Sequence, residues 1–321
     1  MPRSFHLVLF AVAILCESAA SRSALQAAVQ AKADLPAGLY GNFQTRNTDH
    51  FNVIYDPRQA GGEKIADALE LAYGHFKSLF ESRDFELRTP AEKLTWITFD
   101  DSACFNRYAS ETEGRDLSWL TGYYSAGTNA VAMITPQKLS RWQVKEQTRP
   151  AMDVIACPPE AQTDLVKLVH EVAHQLSFNT GLQKRKVLYP IWASEGLAMF
   201  FERSLLSEYS QSSAYRDVRG RQLVQLHRQG RLIRLEDFIS ASRLDEGSGA
   251  TDVYAQAWGL FQFLCERRTE ALRKYLSGLH ELEPGYRDQR TLACEFVAAF
   301  GSLDQVDRQW QQFLEDLSAR Q

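Results

Sequence analysis

The sequence predicts an α+β fold, with a mixed β-sheet and helices in the N-terminal half and a mainly helical C-terminal half. Three observations support this class. Short segments with strand composition occur between residues 49 and 134. Beyond residue 195, apolar residues recur at helical spacing between glycine-containing turns. The length of 321 residues suits one large domain or two subdomains.

The elements follow one another in a simple order. Residues 1–20 combine an early Arg3, an apolar core and small residues before Ala20, which predicts a secretory signal. We interpret residues 21–48 as a leader or linker, residues 49–182 as an α/β subdomain and residues 183–321 as a helical subdomain. Strands are predicted at 49–56, 93–99 and, as a hairpin, within 120–134, and helices at 61–82, 165–177, 194–207, 214–229, 252–267, 269–280, 288–299 and 303–318.

Residues 165–177, LVKLVHEVAHQLS, contain the spacing H-E-x-x-H within an amphipathic helical pattern. Residues four apart lie on one side of a helix. His170 and His174 would therefore direct two imidazoles at one point, as tetrahedral Zn²⁺ requires. Glu171 lies about 100° further round the helix, where its carboxylate can take a proton from water on the metal.

Two histidines leave a zinc site incomplete, so a further ligand is required. Glu195 and Glu202 are seven residues apart and share one face of the next predicted helix. We interpret Glu195 as the third ligand and Glu202 as the acceptor that fixes the tautomer of a ligand imidazole. The alternatives are a first-turn acid favoured by the helix dipole for Glu195 and a solvated acid for Glu202. One Zn²⁺ per chain is expected.

The segment W-A-S-E-G-L-A at residues 192–198 follows the H-E-x-x-H helix. This combination resembles the gluzincin branch of zinc metallopeptidases, which includes thermolysin and the zinc aminopeptidases, and also resembles small secreted bacterial peptidase MA-like proteins. The resemblance covers roughly residues 163–203. It implies a zincin-like fold, zinc at His170, His174 and Glu195, and a general base at Glu171.

The resemblance also points to a tyrosine. In gluzincins of the aminopeptidase kind, a tyrosine on a helix beyond the glutamate ligand helps to hold the oxyanion, and Tyr254 stands where such a residue would be. The alternative for Tyr254 is packing at a helix start, and Tyr189, Tyr123 and Tyr124 are rivals. In zincins the substrate pairs with an edge strand. The strand at 129–133 is the candidate edge, with an ordinary buried strand as the alternative.

The predicted function is zinc-dependent hydrolysis of peptide bonds in a peptide or protein substrate. The G-x-M-E-N segment of the aminopeptidases is absent, and the nearest stretch, GTNAVAM at residues 127–133, lacks its acid. The sequence therefore favours an endopeptidase. The alternatives are a non-enzymatic binding protein with a zincin fold, or a zinc hydrolase of a non-peptide amide such as a cell-wall cross-link.

Four cysteines lie beyond the predicted signal: Cys104, Cys157, Cys265 and Cys294. An even number in an exported protein allows two disulfides. The pairing 104–157 and 265–294 is favoured because each pair lies within one half of the chain, and four free thiols are the alternative. A periplasmic or extracellular location is expected.

The charge pattern argues against nucleic acid as a partner. The chain has 36 basic and 40 acidic residues and a net charge of −4. Arginines gather at residues 216–234 but acids follow them, so we interpret this stretch as a solvated face. No segment beyond the signal is apolar enough to predict a membrane span. The sequence leaves the oligomeric state open.

Overall fold

The computed structural model describes residues 43–57, 62–114, 116–135, 143–144, 155–156, 162–209, 218–242, 250–283, 285 and 287–320. The predicted signal at 1–20 and most of the predicted leader lie outside these residues. The described part of the chain has a mixed α+β architecture, with a five-stranded sheet in the N-terminal half and a helical C-terminal part.

The sheet has the strand order β1-β2-β3-β5-β4. Its three central strands are parallel, and both outer strands run antiparallel to their neighbours. A separate two-stranded ladder joins β6 to β7. The strands are β1 Gln44–Asn47, β2 Phe51–Tyr55, β3 Leu94–Phe99, β4 Gly122–Ser125, β5 Ala130–Ile134, β6 Gln143–Val144 and β7 Ile155–Ala156.

The predicted strands and hairpin are confirmed, but the predicted edge strand is wrong. Residues 129–133 fall mostly in β5, which pairs with both β3 and β4 and therefore lies inside the sheet. The edge beside it is β4. The structure also adds β1, which lies within the stretch interpreted as leader or linker.

Ten helices are described; eight of them match predicted helices, whereas those at 102–113 and 235–238 were not predicted. None of them is both long and apolar enough to cross a membrane. They are α1 Gly62–Glu81, α2 Ser102–Glu113, α3 Gln162–Asn179, α4 Ile191–Tyr209, α5 Val218–Arg228, α6 Leu235–Phe238, α7 Ala250–Arg267, α8 Thr269–Glu281, α9 Gln289–Phe300 and α10 Leu303–Ala319.

Helix α2 was not predicted, although its ends carry clear signals. Asp101 caps its first turn by accepting a hydrogen bond from the backbone N–H of Cys104 at 2.8 Å. Gly114 ends it with a left-handed φ of 66°. Only Phe105, Tyr108 and Ala109 are buried, so the apolar stripe is too short for a clear helical period.

The sheet separates two hydrophobic clusters because successive strand residues point to opposite faces. In β3, for example, Trp96 belongs to the larger cluster, whereas Ile97 and Phe99 belong to the smaller one beside α2. The larger cluster continues through α1, α3, α4 and α7 into the C-terminal helices. One continuous core therefore supports both the sheet and the helical part.

Gly196 permits an unusually close approach of α4 and α7. A Cβ at this position would lie 2.4 Å from the carbonyl oxygen of Ala257 and 3.0 Å from the Cβ of Phe261. Any larger residue would push the two helices apart. Gly196 directly follows Glu195, so this close helix contact lies next to that carboxylate.

The predicted disulfide between Cys265 and Cys294 is not formed. Both are free thiols: Cys265 is buried in α7, and Cys294 is exposed on α9. Cys104 is also a free thiol. Its predicted partner Cys157 lies outside the described residues.

Candidate metal centre

The two histidines of helix α3 lie next to each other in the protein interior. Its apolar face, which includes Val172 and Leu176, is completely buried. The Nε2 atoms of His170 and His174 lie 3.2 Å apart. His170 is 2% exposed and His174 is inaccessible, so both imidazoles are enclosed by the protein.

Helix α4 brings Glu195 to the same point. Its Oε2 lies 3.3 Å from His170 Nε2, and its Oε1 lies 3.6 Å from His174 Nε2. This helix begins at Ile191, three residues before the predicted start at 194, and the Ser194 N–H donates to the carbonyl of Pro190. Glu195 therefore lies beyond the first turn, which removes the helix-dipole explanation for this acid.

His170, His174 and Glu195 form a group that could hold a metal ion, with one ligand atom from each within 4.8 Å of the others. The geometry fits zinc, since bonds of about 2.0–2.1 Å to a tetrahedral ion separate ligand atoms by about 3.3 Å. Glu195 is only 6% exposed, and its Oε2 lies 3.3 Å from His170 Nε2. A buried carboxylate in this state needs a cation.

The carboxylates around the histidines have strong electrostatic effects. Burial lowers the pKa of His170, but hydrogen bonds and charges from Glu195 and Glu202 outweigh burial and raise it to about 10. Burial lowers the pKa of His174 to about 3. The pKa of Glu195 is lowered, since the histidine charges outweigh burial. A metal ion must therefore displace a proton from His170, because a ligand imidazole binds in its neutral form.

Glu171 is buried beside the ligand group and is held by the edge of the sheet. The backbone N–H of Tyr124 in β4 donates to Glu171 Oε2 at 2.8 Å. The side chain is 3% exposed, and burial raises the pKa of Glu171 to about 7. A carboxyl group with such a pKa can exchange protons near neutral pH.

Glu202 lies on the Nδ1 side of His170, whereas Glu195 lies on the Nε2 side. Glu202 Oε2 is 3.5 Å from His170 Nδ1, and Glu202 Oε1 is 3.7 Å from Arg219 Nη2. Both Glu202 and His170 are buried, so the alternative of a solvated acid is wrong. The structure thus places Glu202 where it can fix the imidazole of His170.

Tyr254 lies in the first part of α7 and is 5% exposed. Burial raises its pKa, and the negative charges of Glu195 and Glu171 raise it further. The phenol is therefore close enough to both carboxylates to be affected by their charges.

The hydroxyls of the three rival tyrosines have other partners. These are Thr112 Oγ1 for Tyr123 at 3.2 Å, Asn129 Oδ1 for Tyr124 at 2.8 Å, and the Lys184 N–H for Tyr189 at 2.8 Å.

Buried amide side chains hold α3 in register with its neighbours. Gln175 Nε2 donates to the carbonyls of Thr95 in β3 and Asn129 before β5, at 3.0 and 3.2 Å. Gln183, which follows α3, donates to the carbonyl of Ala193 in α4 at 3.3 Å. Sequence reasoning missed both glutamines, because a single glutamine carries no distinctive pattern.

Arg219 was also missed, and the interpretation of residues 216–234 as a solvated face is wrong at this position. Its side chain is only 20% exposed and lies against Glu202. The prediction rested on the arginine-rich composition of this stretch, and composition cannot distinguish one buried arginine from its exposed neighbours. Only the fold brings α5 beside α4.

A second polar cluster lies away from the metal centre, between α1 and α4. His75 Nε2 lies 2.9 Å from Ser204 Oγ, and His75 Nδ1 lies 3.1 Å from Glu208 Oε2, beside a surface cavity of about 280 Å³. The arrangement has the order of a serine–histidine–acid triad. However, Ser204 lies inside α4, where helical hydrogen bonds use the backbone N–H groups that an oxyanion would need. We interpret the cluster as a structural link.

The fold and site define an α+β protein with a buried His-His-Glu group that could hold a metal ion. Residues 164–284 match a family described as "Protein of unknown function (DUF1570)". This span contains all three members of the group as well as Glu202 and Tyr254. A comparison with curated proteins found no match.

Proposed function

We propose that the protein is a zinc metallopeptidase of the gluzincin type with a zincin-like fold. The observation that carries the proposal is the approach of Glu195 from α4 to both imidazoles of α3, at 3.3 and 3.6 Å. The resemblance of H-E-x-x-H and W-x-x-E-G to gluzincins supports zinc and peptide hydrolysis. The absence of a G-x-M-E-N segment favours endopeptidase activity, and the signal predicted at residues 1–20 favours action outside the cytoplasm.

Zinc bound by this group would supply a Lewis acid that polarises a carbonyl and acidifies a water molecule. Glu171 accepts the proton of the attacking water and passes it to the leaving amine. The Tyr124 N–H fixes Oε2 of Glu171, which leaves Oε1 to carry the proton. Tyr254 donates a hydrogen bond to the oxyanion, and Glu202 keeps His170 in the tautomer with a proton on Nδ1.

The purified chain is expected to cleave an unfolded protein substrate such as casein, with internal cuts detectable by mass spectrometry. A chelator should stop cleavage because the base alone cannot activate the carbonyl, and added Zn²⁺ should restore it. Absence of cleavage by the zinc-loaded chain, or cleavage that persists after complete metal removal, would refute the proposal.

Replacing Tyr254 by phenylalanine is expected to lower kcat by up to about 10²-fold, the effect of losing one oxyanion donor. KM should change little, because this donor acts on charge that develops in the transition state. Steady-state kinetics on a fluorogenic peptide would measure both constants. Tyr123→Phe is the matched control, since its hydroxyl faces Thr112 instead of the site. An unchanged kcat for Tyr254→Phe would return Tyr254 to a packing role.

A further inference from the structure

Glu202 is held between two partners by its two separate oxygen atoms. Oε2 lies 3.5 Å from His170 Nδ1, and Oε1 lies 3.7 Å from Arg219 Nη2. The Glu202 side chain is 8% exposed and that of Arg219 is 20% exposed. The carboxylate thus links a ligand imidazole to a partly buried guanidinium that approaches from α5.

A buried carboxylate is stable only when it is paired and hydrogen-bonded. His170 cannot serve as a permanent cationic partner, because an imidazole that binds a metal ion is neutral. A guanidinium keeps its charge at any physiological pH. Arg219 is therefore the partner that compensates Glu202 while His170 is engaged with a metal.

The position of Arg219 is specific within its helix. Arg221 and Arg228 of α5 are exposed, whereas Arg219 points towards the metal centre. Arg219 therefore differs from these two neighbours in facing the carboxylate of Glu202.

We propose that Arg219 is a positioning residue of the metal centre, which holds Glu202 so that this carboxylate accepts a hydrogen bond from His170 Nδ1. By fixing the tautomer and ring orientation of His170, it directs Nε2 at the metal. The inference rests on the proposed zinc centre but does not depend on the reaction that the centre performs. Arg219 would then have a defined role, although it belongs to the arginine-rich stretch at 216–234 that was interpreted as a solvated face.

Competition of the full-length chain with a chromogenic chelator for Zn²⁺ tests this role. Arg219→Gln is expected to weaken zinc affinity about 10- to 100-fold, the usual effect of removing a partner behind a ligand. Arg219→Lys, which keeps the charge, should recover part of the loss. Arg221→Gln, an exposed change on the same helix, should bind zinc like the parent.

A double-mutant cycle separates positioning from a general effect on folding. If Arg219 acts through Glu202, the double variant Glu202→Gln/Arg219→Gln should bind zinc no more weakly than Glu202→Gln alone. The visible spectrum of the Co²⁺-substituted protein should change in Arg219→Gln, because the ligand geometry changes. Melting of the metal-free variants would detect any loss of fold that mimics weaker binding.

Parental zinc affinity and an unchanged Co²⁺ spectrum in Arg219→Gln would overturn the inference, as would fully additive losses in the double variant. These outcomes are distinct from failure of the proposed function. A chain that binds zinc normally but cleaves nothing refutes the peptidase proposal and leaves the role of Arg219 intact.

Discussion

Replacing Glu171 by glutamine is expected to reduce peptide hydrolysis by about 10²–10⁴-fold, the usual contribution of a general base. Zinc binding should remain, because Glu171 is not among the three side chains that could hold the ion. The substitution preserves shape, and the amide oxygen of glutamine can still accept the Tyr124 N–H that now reaches Glu171 Oε2 at 2.8 Å. Paired measurements of kcat/KM and zinc content would show whether the two properties separate.

A matched control is Glu270→Gln, since Glu270 is 72% exposed on α8 and forms only an i,i+4 pair with Lys274. This variant should match the parent in both measurements. Cleavage by Glu171→Gln at the parental rate would exclude Glu171 as the base. Loss of zinc from the same variant would place Glu171 among the ligands instead.

The second large effect is on stability. Zinc binds the folded centre and not the dispersed side chains of the unfolded chain, so it should stabilise the fold by about 2.7 kcal/mol at 100 times its dissociation constant. For a chain of this size this corresponds to a rise in Tm of roughly 4 °C. Differential scanning calorimetry with chelator and with zinc would measure the shift. Glu195→Ala should greatly reduce it, because only two imidazoles remain.

Glu208→Ala is the control for this experiment. Glu208 lies on the same helix as Glu195, but its side chain is 40% exposed and contacts His75 instead of the centre. Its zinc response should equal that of the parent. A metal-free parent whose Tm does not respond to zinc, or a Glu195→Ala variant that responds fully, is incompatible with the site described above.

Much of the local structure could be predicted because each segment carries its own periodicity. The stripe on α1, with Ile65, Leu69 and Phe76, is completely buried as its helical spacing predicts. The same reasoning located α3 and the position of His170 and His174 on one side of it. Four-residue spacing on a helix is a local property, so it needs no knowledge of the rest of the fold.

Properties that depend on distant segments could not be derived in this way. Nothing in the sequence around Arg219 shows that α5 lies beside Glu202, and nothing in residues 129–133 shows that β3 pairs with their other edge. The enclosure of the centre likewise results from packing of α4 and β4 around α3. The approach of Glu195 to the two histidines could be predicted because the motif W-x-x-E-G depends on this packing. Trp192 is buried and donates to the carbonyl of Ile239 at 3.1 Å, and Gly196 admits α7.

His170, His174 and Glu195 are expected to bind one divalent ion together. The decisive measurement is elemental analysis of the purified chain, after dialysis against metal-free buffer, with His174→Ala measured beside it. We expect close to one zinc per parental chain and almost none in the variant. A folded parental chain that retains no metal after zinc loading, or a variant that retains as much as the parent, would contradict it.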